Sequence, residues 1–169
     1  IKTEVTKESG MYLPRFGMLL RMPAGNEYVK YYGRGPGENY IDKKLSSAIG
    51  IYETTVSELF TDYLYPQENG SHGDVKWLFV GNHNGNGLYI TAENVISFNA
   101  SHYSVKEIEE KKHNTELVAE EDTYLYIDYK MSGVGSCICG PSLKEEYRMN
   151  DERFYFGFSI NPLNINGII

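Results

Sequence analysis

The chain has few of the features that mark membrane, secreted or nucleic-acid-binding proteins. No apolar run approaches the roughly 20 residues of a transmembrane helix, and the N-terminus carries no charged-then-apolar targeting pattern. The 169 residues include 16 Lys and Arg and 23 Asp and Glu, which gives a net charge of −7. Because the acidic residues are dispersed, we expect neither nucleic acid nor a membrane as a partner. A soluble protein is the resulting expectation.

Cysteine is also scarce, with only Cys137 and Cys139 in the chain. Their spacing leaves little room for an unstrained disulfide, so nothing in the sequence requires an oxidising compartment. A Cys-x-Cys pair could supply two zinc ligands, but zinc needs three or four, and no further His or Cys lies near it in the sequence. No metal site is therefore predicted.

Tyrosine, by contrast, is abundant, with 15 tyrosines and a single tryptophan, Trp77. Tyrosine suits half-buried β surfaces and also sugar-binding clefts. The first residues alternate between two faces with the period of a strand. This pattern begins directly at Ile1 without a leader, which suggests a segment cut from a longer protein.

Short strand patterns follow one another, separated by turn residues. Residues 16–22 and 27–32 flank a Pro-Ala-Gly-Asn turn and are predicted to pair as a hairpin. The Asn- and Gly-rich loop 81–87 predicts a second hairpin, and the strand before it, 75–80 with Trp77 at its centre, is expected in the core. Later strands are predicted at 123–130 and 153–160, the last with a core face formed by Phe154, Phe156, Phe158 and Ile160.

One helix is predicted, beginning at Ser104 with Glu107 completing a capping box and ending near His113. About nine short strands and one brief helix favour an all-β fold, an antiparallel β-sandwich, over a barrel or a dinucleotide-binding fold.

Two rigid turns share a Pro-x-Glu-Asn sequence. The first turn, which we call the first corner, spans residues 35–42 and contains Glu38 and Asn39; the second corner spans residues 66–70 and contains Glu68 and Asn69. Each follows a tyrosine-rich segment, so we expect the corners to face the same region. Their polar side chains could cap turn amides or hold a ligand. The two glutamates could also form a glycosidase pair, but nothing nearby marks either as acid or nucleophile.

Histidines and a glycine-rich loop complete the candidates. His102 could bind substrate, act as an acid or base, or bond to nearby backbone. His72, His83 and His113 lie in polar or charged contexts and are expected to be solvated. The loop from Gly133 to Pro141 could close over a ligand or simply connect two strands.

Several of these motifs, in order, resemble the C-terminal, small-chain domain of the β-galactosidases of glycoside hydrolase family 2. The resemblance covers nearly the whole chain. It implies a β-supersandwich related to galactose mutarotase, with residues 1–169 forming a single β-sandwich domain that is the later half of that C-terminal domain. The motifs that carry it are Tyr32-Gly33-x-Gly35-Pro36-x-Glu38-Asn39-Tyr40-x-Asp42, Pro66-Gln67-Glu68-Asn69-Gly70, His102-Tyr103-Ser104, Asp128, Gly133-Val134-Gly135-Ser136, Cys139-Gly140-Pro141 and residues 154–162.

The resemblance also implies retaining hydrolysis of terminal β-galactosides such as lactose, carried out by two glutamates of a barrel domain absent from this chain. No catalytic residue is therefore expected here, and the corner residues Glu38, Asn39, Glu68 and Asn69 are expected to be structural. Mg²⁺, and Na⁺ as a second cation, would act in the parent enzyme and not in this segment. The implied partners are the rest of the β-galactosidase chain or its large subunit, the β-galactoside substrate, and further copies in an oligomer.

In such an enzyme this segment would contribute a loop that reaches the substrate pocket, formed by Gly135, Ser136, Cys137, Ile138 and Cys139. His102 is a further candidate for substrate binding. Some family members carry a sugar-stacking tryptophan in the loop, whereas here Cys139 stands nearest to that position, so the indole is missing. The segment is expected to be inactive alone, completing the pocket and stabilising assembly. The alternative is an independent galactose-binding or mutarotase-like module.

Overall fold

The computed structural model describes residues 1–8, 10–135 and 142–165, and these ranges hold eight strands and two short α-helices. The predicted all-β class is confirmed. Three 3₁₀ turns lie at Lys44–Ser46, Asn114–Glu116 and Glu145–Tyr147. The elements, in chain order, are β1 (Lys2–Thr6), β2 (Arg15–Met22), β3 (Tyr28–Gly35), β4 (Ala48–Thr55), α1 (Val56–Leu59), β5 (His72–Gly81), β6 (Asn86–Ser101), α2 (Val105–Glu110), β7 (Thr123–Met131) and β8 (Arg153–Asn164).

The 16-residue strand β6 connects the parts of the sheet. β5 pairs along one edge of β6, while β8 pairs with its first half and β7 with its second half. β3 and then β4 extend the sheet beyond β5, β1 pairs with β8, and β2 pairs with β7, all antiparallel. The sheet therefore branches at β6, and its branches can turn their apolar faces toward one another.

The core lies between these branches. Strand alternation turns one side of β3, β5 and β6 inward, and Val29, Tyr31, Leu78, Val80 and Ile90 on that side are fully buried. Aromatic rings join the branches, because Phe16 of β2 lies 5.1 Å and Tyr129 of β7 lies 4.3 Å from Phe154 of β8, measured between ring centroids. Strand layers that share one core in this way form a β-sandwich.

Several predicted elements are confirmed. The loop 81–87 joins β5 to β6, with Gly81 paired to Gly87. In β8, Phe154, Phe156 and Phe158 are buried as expected. The strand around Trp77 exists, but a bulge between Val75 and Trp77 turns the indole away from the core, and it lies near Tyr89 with 6.1 Å between ring centroids.

The predicted hairpin between residues 16–22 and 27–32 is wrong. β2 pairs with β7, from Arg15 opposite Met131 to Met22 opposite Thr123, and β3 lies between β4 and β5. Consecutive strands pair in most sheets, but the partner of β2 is determined by how well β2 fits against β7. A Cβ on Gly17 would lie 2.1 Å from Asp128 Oδ1, so glycine is needed for the close approach of β2 to that strand.

The helices differ in how well the sequence predicts them. α2 begins after Ser104, whose Oγ accepts a hydrogen bond from the Glu107 amide at 3.2 Å. The Glu107 carboxylate, however, accepts from the amide of Val118 instead of reaching back to the cap. α1 was not predicted, although Thr55 and Glu58 form a complete capping box at its start.

The burial pattern predicts that replacing isoleucine by alanine lowers the free energy of unfolding more on the buried face of the sheet than on the exposed face. Ile90→Ala removes a fully buried side chain from β6 and should lower the free energy of unfolding by about 2–5 kcal/mol. Ile51→Ala, at a residue that is 62% exposed on β4, should cost less than about 1 kcal/mol. Urea unfolding of both variants measures the difference, and equal losses would contradict this assignment of the two faces.

Candidate functional site

The two Pro-x-Glu-Asn corners lie directly against each other. Glu38 Oε2 accepts a hydrogen bond from the backbone amide of Gly70 at 2.9 Å. The backbone amide of Asn39 donates to the carbonyl of Ser71 at 2.6 Å. The corners therefore face the same region and are joined by hydrogen bonds between residues about thirty positions apart in the sequence.

Glu38 is the more fully bonded of the two glutamates. Its Oε1 accepts from the Tyr63 hydroxyl and from Lys43 Nζ, the latter at 2.9 Å, and its side chain is only 12% exposed. Burial acts to raise the pKa of Glu38, but hydrogen bonds from Tyr63, Lys43 and Gly70 outweigh it and hold the pKa below the ordinary value. The carboxylate is thus kept ionised and occupied by groups of its own chain.

Glu68 has a different environment, because it shares one guanidinium with a second carboxylate. Arg15 Nη1 lies 3.2 Å from Glu68 Oε2, while Arg15 Nη2 lies 2.5 Å from Asp128 Oδ2. The guanidinium carbon is 4.4 Å from the centroid of the Tyr126 ring. Burial raises the pKa of both Glu68 and Asp128, and the nearby Arg15 charge opposes that rise.

The two asparagines also serve the backbone around them. Asn69 Oδ1 accepts from the amide of Thr61 at 3.1 Å, and its Nδ2 donates to the carbonyl of Gln67 at 2.9 Å. Asn39 Nδ2 donates to the carbonyl of Lys43 at 2.9 Å, while its Oδ1 is buried and has no hydrogen-bond partner among the described residues. These bonds join both asparagines to the surrounding backbone, which agrees with the structural role expected of the corners.

His72 is buried, so the expectation that it is solvated is wrong. It is 1% exposed, with Nδ1 3.0 Å from the carbonyl oxygen of Gly70 and Nε2 3.1 Å from that of Pro36. The polar residues around it indicated an exposed link, but they begin β5 and are covered by the first corner. Burial lowers the pKa of His72, which favours a neutral ring. His83 and His113 are exposed, as predicted.

His102 bridges two segments of the chain. Its Nε2 is 2.5 Å from Glu27 Oε2, and its Nδ1 is 3.0 Å from the carbonyl oxygen of Asp122. Glu27 Oε1 in turn accepts from the amide of Ser57 in α1 at 2.9 Å. Burial tends to raise the pKa of Glu27, but the bonds from Ser57 and His102 lower it overall. Substrate binding by His102 stays a prediction.

The glycine-rich loop is anchored at its start by the first corner. The amide of Gly135 donates to Asp42 Oδ2 at 2.8 Å. A Cβ on Gly133 would lie 2.6 Å from Asp42 Cγ, so the loop passes very close to this carboxylate. Ser136, Cys137, Ile138 and Cys139 lie outside the described residues. Asp42 was seen in the sequence only as a motif position, because no local pattern links it to a loop some ninety residues away.

Within residues 1–8, 10–135 and 142–165, no three His, Cys, Asp or Glu side chains gather as they would around a metal ion. None of the helices there is both long and apolar enough to cross a bilayer.

The contrast between the two glutamates predicts opposite effects of pH. The lowered pKa of Glu38 adds stability above the ordinary glutamate value of 4.5, and this is lost as the pH falls through the lowered pKa. The raised pKa of Glu68 means that stability falls as the pH rises from 4.5 through the raised value. At pH 7, Glu38→Gln should cost about 1–3 kcal/mol. Glu68→Gln should change stability by less than about 1 kcal/mol.

Urea unfolding at several pH values measures both variants against the parent chain. The penalty of Glu38→Gln should shrink as the medium becomes acidic, whereas Glu68→Gln should flatten the decline between acid and neutral pH. Equal penalties with the same pH dependence would show that the two corners do not differ in this way.

Comparison with known proteins places these features in a family. Residues 1–160 match the family model described as beta galactosidase small chain. The β-galactosidase of Staphylococcus xylosus is 42% identical over 149 residues, covering 88% of this chain and 15% of that protein. The β-galactosidase of Actinobacillus pleuropneumoniae is 43% identical over 149 residues, covering 88% and 14%.

A more distant relative is matched over similar shares of the two chains. The β-galactosidase of Kluyveromyces lactis is 34% identical over 147 residues, covering 87% of this chain and 14% of that protein. The chain thus spans only 14–15% of the length of these relatives. With the family model matched over residues 1–160, the chain belongs to the β-galactosidase small-chain family.

Proposed function

We propose that this chain is the C-terminal part of a cytoplasmic β-galactosidase that hydrolyses terminal β-galactosides such as lactose. In this proposal the segment completes the substrate pocket and stabilises assembly, while two glutamates elsewhere in the enzyme carry out retaining hydrolysis. The observation that carries it is the family match over residues 1–160. The internal bonding of Glu38 and Glu68 supports it, because neither carboxylate is held free for chemistry.

The contribution to the pocket is assigned to the loop that starts at Gly135. The hydrogen bond from its amide to Asp42 Oδ2 fixes the first residue of this loop against the first corner. The first corner is in turn fastened to the second through Glu38 and Gly70. In this proposal the anchored Gly135 sets the point from which the loop leaves the first corner toward a neighbouring active site.

The contribution to assembly is assigned to apolar side chains on the outer face of β3 and β4. Tyr32 and Ile51 are opposite each other in the sheet and are 38% and 62% exposed, and Ile49 beside them is 52% exposed. Exposed apolar groups that adjoin in this way are typical of contact surfaces. We assign them to contact with the rest of the β-galactosidase, as one chain or as a large subunit, within an oligomer.

The cations implied for the parent enzyme, Mg²⁺ and Na⁺, are assigned to its other domains. In the described part of the chain, no cluster of three metal-ligating side chains offers a fit for Mg²⁺. In this proposal, no cation that acts in hydrolysis is held by this segment.

A complementation assay tests the proposal. A chromogenic β-galactoside is incubated with the purified chain alone, with the parent enzyme lacking this segment, and with both together. Activity is expected only in the mixture, because the catalytic glutamates and the pocket loop would then lie on different pieces. Turnover by the chain alone would refute the division of roles, and a bound but inactive mixture would refute pocket completion.

The Asp42 anchor gives a second, sharper prediction in the same assay. Asp42→Ala removes the acceptor for the Gly135 amide and should lower kcat/KM of the mixture by about tenfold, the scale of one lost charge-assisted hydrogen bond. Asp42→Asn keeps an acceptor oxygen and should lose less. Affinity between the two pieces, measured by titration, should stay unchanged in both variants, and an unaltered kcat/KM for Asp42→Ala would refute the anchoring role.

A further inference from the structure

Three strands form the edges of the branched sheet in the described part of the chain. β1 pairs only with β8, β2 only with β7, and β4 only with β3. An edge strand presents backbone N–H and C=O groups that can pair with a further strand. Proteins usually oppose such pairing with charged side chains, bulges, proline or short edge strands, so the three edges can be compared by these features.

β1 and β2 are both protected against the addition of another strand. β1 is only five residues long, and its sequence, KTEVT, contains a lysine and a glutamate. β2 carries Arg15 and Arg21, and its register against β7 shifts between Phe16 and Gly17. Short length, charge and an irregular register each make these two edges poor partners for a new strand.

β4 lacks these protections. Its eight residues pair with β3 without a shift in register, and they include no proline, lysine or arginine. Glu53 is its single charged residue, and Glu53 Oε1 lies 2.5 Å from Lys30 Nζ of β3. Ile49 and Ile51 are each more than half exposed. A regular edge strand with little charge and exposed β-branched side chains favours pairing with another strand.

The sequence of β4 suits pairing with a second copy of itself. When two copies run antiparallel about a twofold axis at Gly50, Ile49 of each copy lies opposite Ile51 of the other. The two glycines meet at the axis, and Glu53 lies opposite Ser47 of the other copy, so no like charges are opposed. An axis at Ile51 would instead set each Ile49 against a Glu53 carboxylate.

We propose that two copies of this chain associate through the open edges of β4, antiparallel about Gly50, so that their sheets become continuous. Residues 48–52 of the two copies exchange backbone hydrogen bonds, and two pairs of Ile49 and Ile51 pack across the junction. The contact assigned above to the rest of the β-galactosidase uses the outer face of β3 and β4. This contact uses the strand edge, so the inference does not rest on the proposed function.

Sedimentation velocity of the full chain tests this association. A ladder limited to residues 48–52 is small, so we expect a dissociation constant on the order of 100 μM. The chain should change from monomer to dimer between about 10 μM and about 1 mM, and an interface with twofold symmetry should stop at two copies. A monomer throughout this range, or assemblies that grow beyond the dimer, would overturn the proposal.

Two lysine substitutions in one row across the sheet separate the edge from the outer face. Ile51→Lys places a charge on the edge strand and removes both isoleucine pairs, so it should raise the dissociation constant by at least about tenfold. Tyr32 lies opposite Ile51 on β3, on the same face but one strand further from the edge. Tyr32→Lys should therefore change the dissociation constant by less than about threefold.

Equal weakening by Ile51→Lys and Tyr32→Lys would place the contact on the outer face and contradict the edge pairing. Thermal unfolding of both variants checks that each retains the fold.

Hydrogen exchange of the unaltered chain gives a readout that depends on no substitution. The β4 amides that point to the open edge should exchange about threefold or more slowly at about 1 mM than at about 10 μM, because pairing protects them. The amides of β1 should exchange equally at both concentrations. A dimer that leaves exchange in β4 unchanged would have its contact elsewhere, and the proposal would be wrong.

Discussion

The Glu38 carboxylate is the group through which two turns distant in the sequence become one rigid unit. It is mostly buried and ionised, so its charge must be balanced by protein groups, and three donors, from Tyr63, Lys43 and Gly70, fill that need. The second corner leads into β5, which pairs with β3, the strand that leads into the first. The corner contact therefore closes one end of this strand pair, and it shuts the His72 ring beneath two carbonyl oxygens.

The Arg15 guanidinium plays a comparable part on the other branch of the sheet. It joins β2 to Asp128 of β7 and also reaches Glu68 in the second corner. One cation shared by two carboxylates is a costly arrangement for stability, and burial raises the pKa of both acids accordingly. In the observed register Arg15 reaches both carboxylates, and Gly17 permits the close approach of β2 to β7.

The local parts of this fold could be predicted from the sequence, whereas its long-range pairings could not. The loop 81–87 and the Phe154 face were predicted correctly, because Asn-Gly turns and strand alternation are local signals. The partner of β2 depends on Asp128, more than a hundred residues away, so proximity in sequence favoured the wrong hairpin. His72 was misassigned because its covering corner is also remote. The start of α1 does carry a local signal, since Thr55 and Glu58 form a capping box.

At the candidate site, too, the sequence predicts the local motif but not the long-range contacts, here within a single turn. Glu38 and Asn39 were singled out by their repeated motif, but their different tasks follow from contacts that no motif specifies. Glu38 fastens the corners together, Asn39 binds the Lys43 carbonyl, and Asp42 holds the start of the Gly135 loop. Because these groups lie within five residues of one turn, the contact between the corners and the start of the loop depend on the same backbone. The Glu38 contact with Gly70 thus holds in place the segment from which Asp42 fixes the start of the loop.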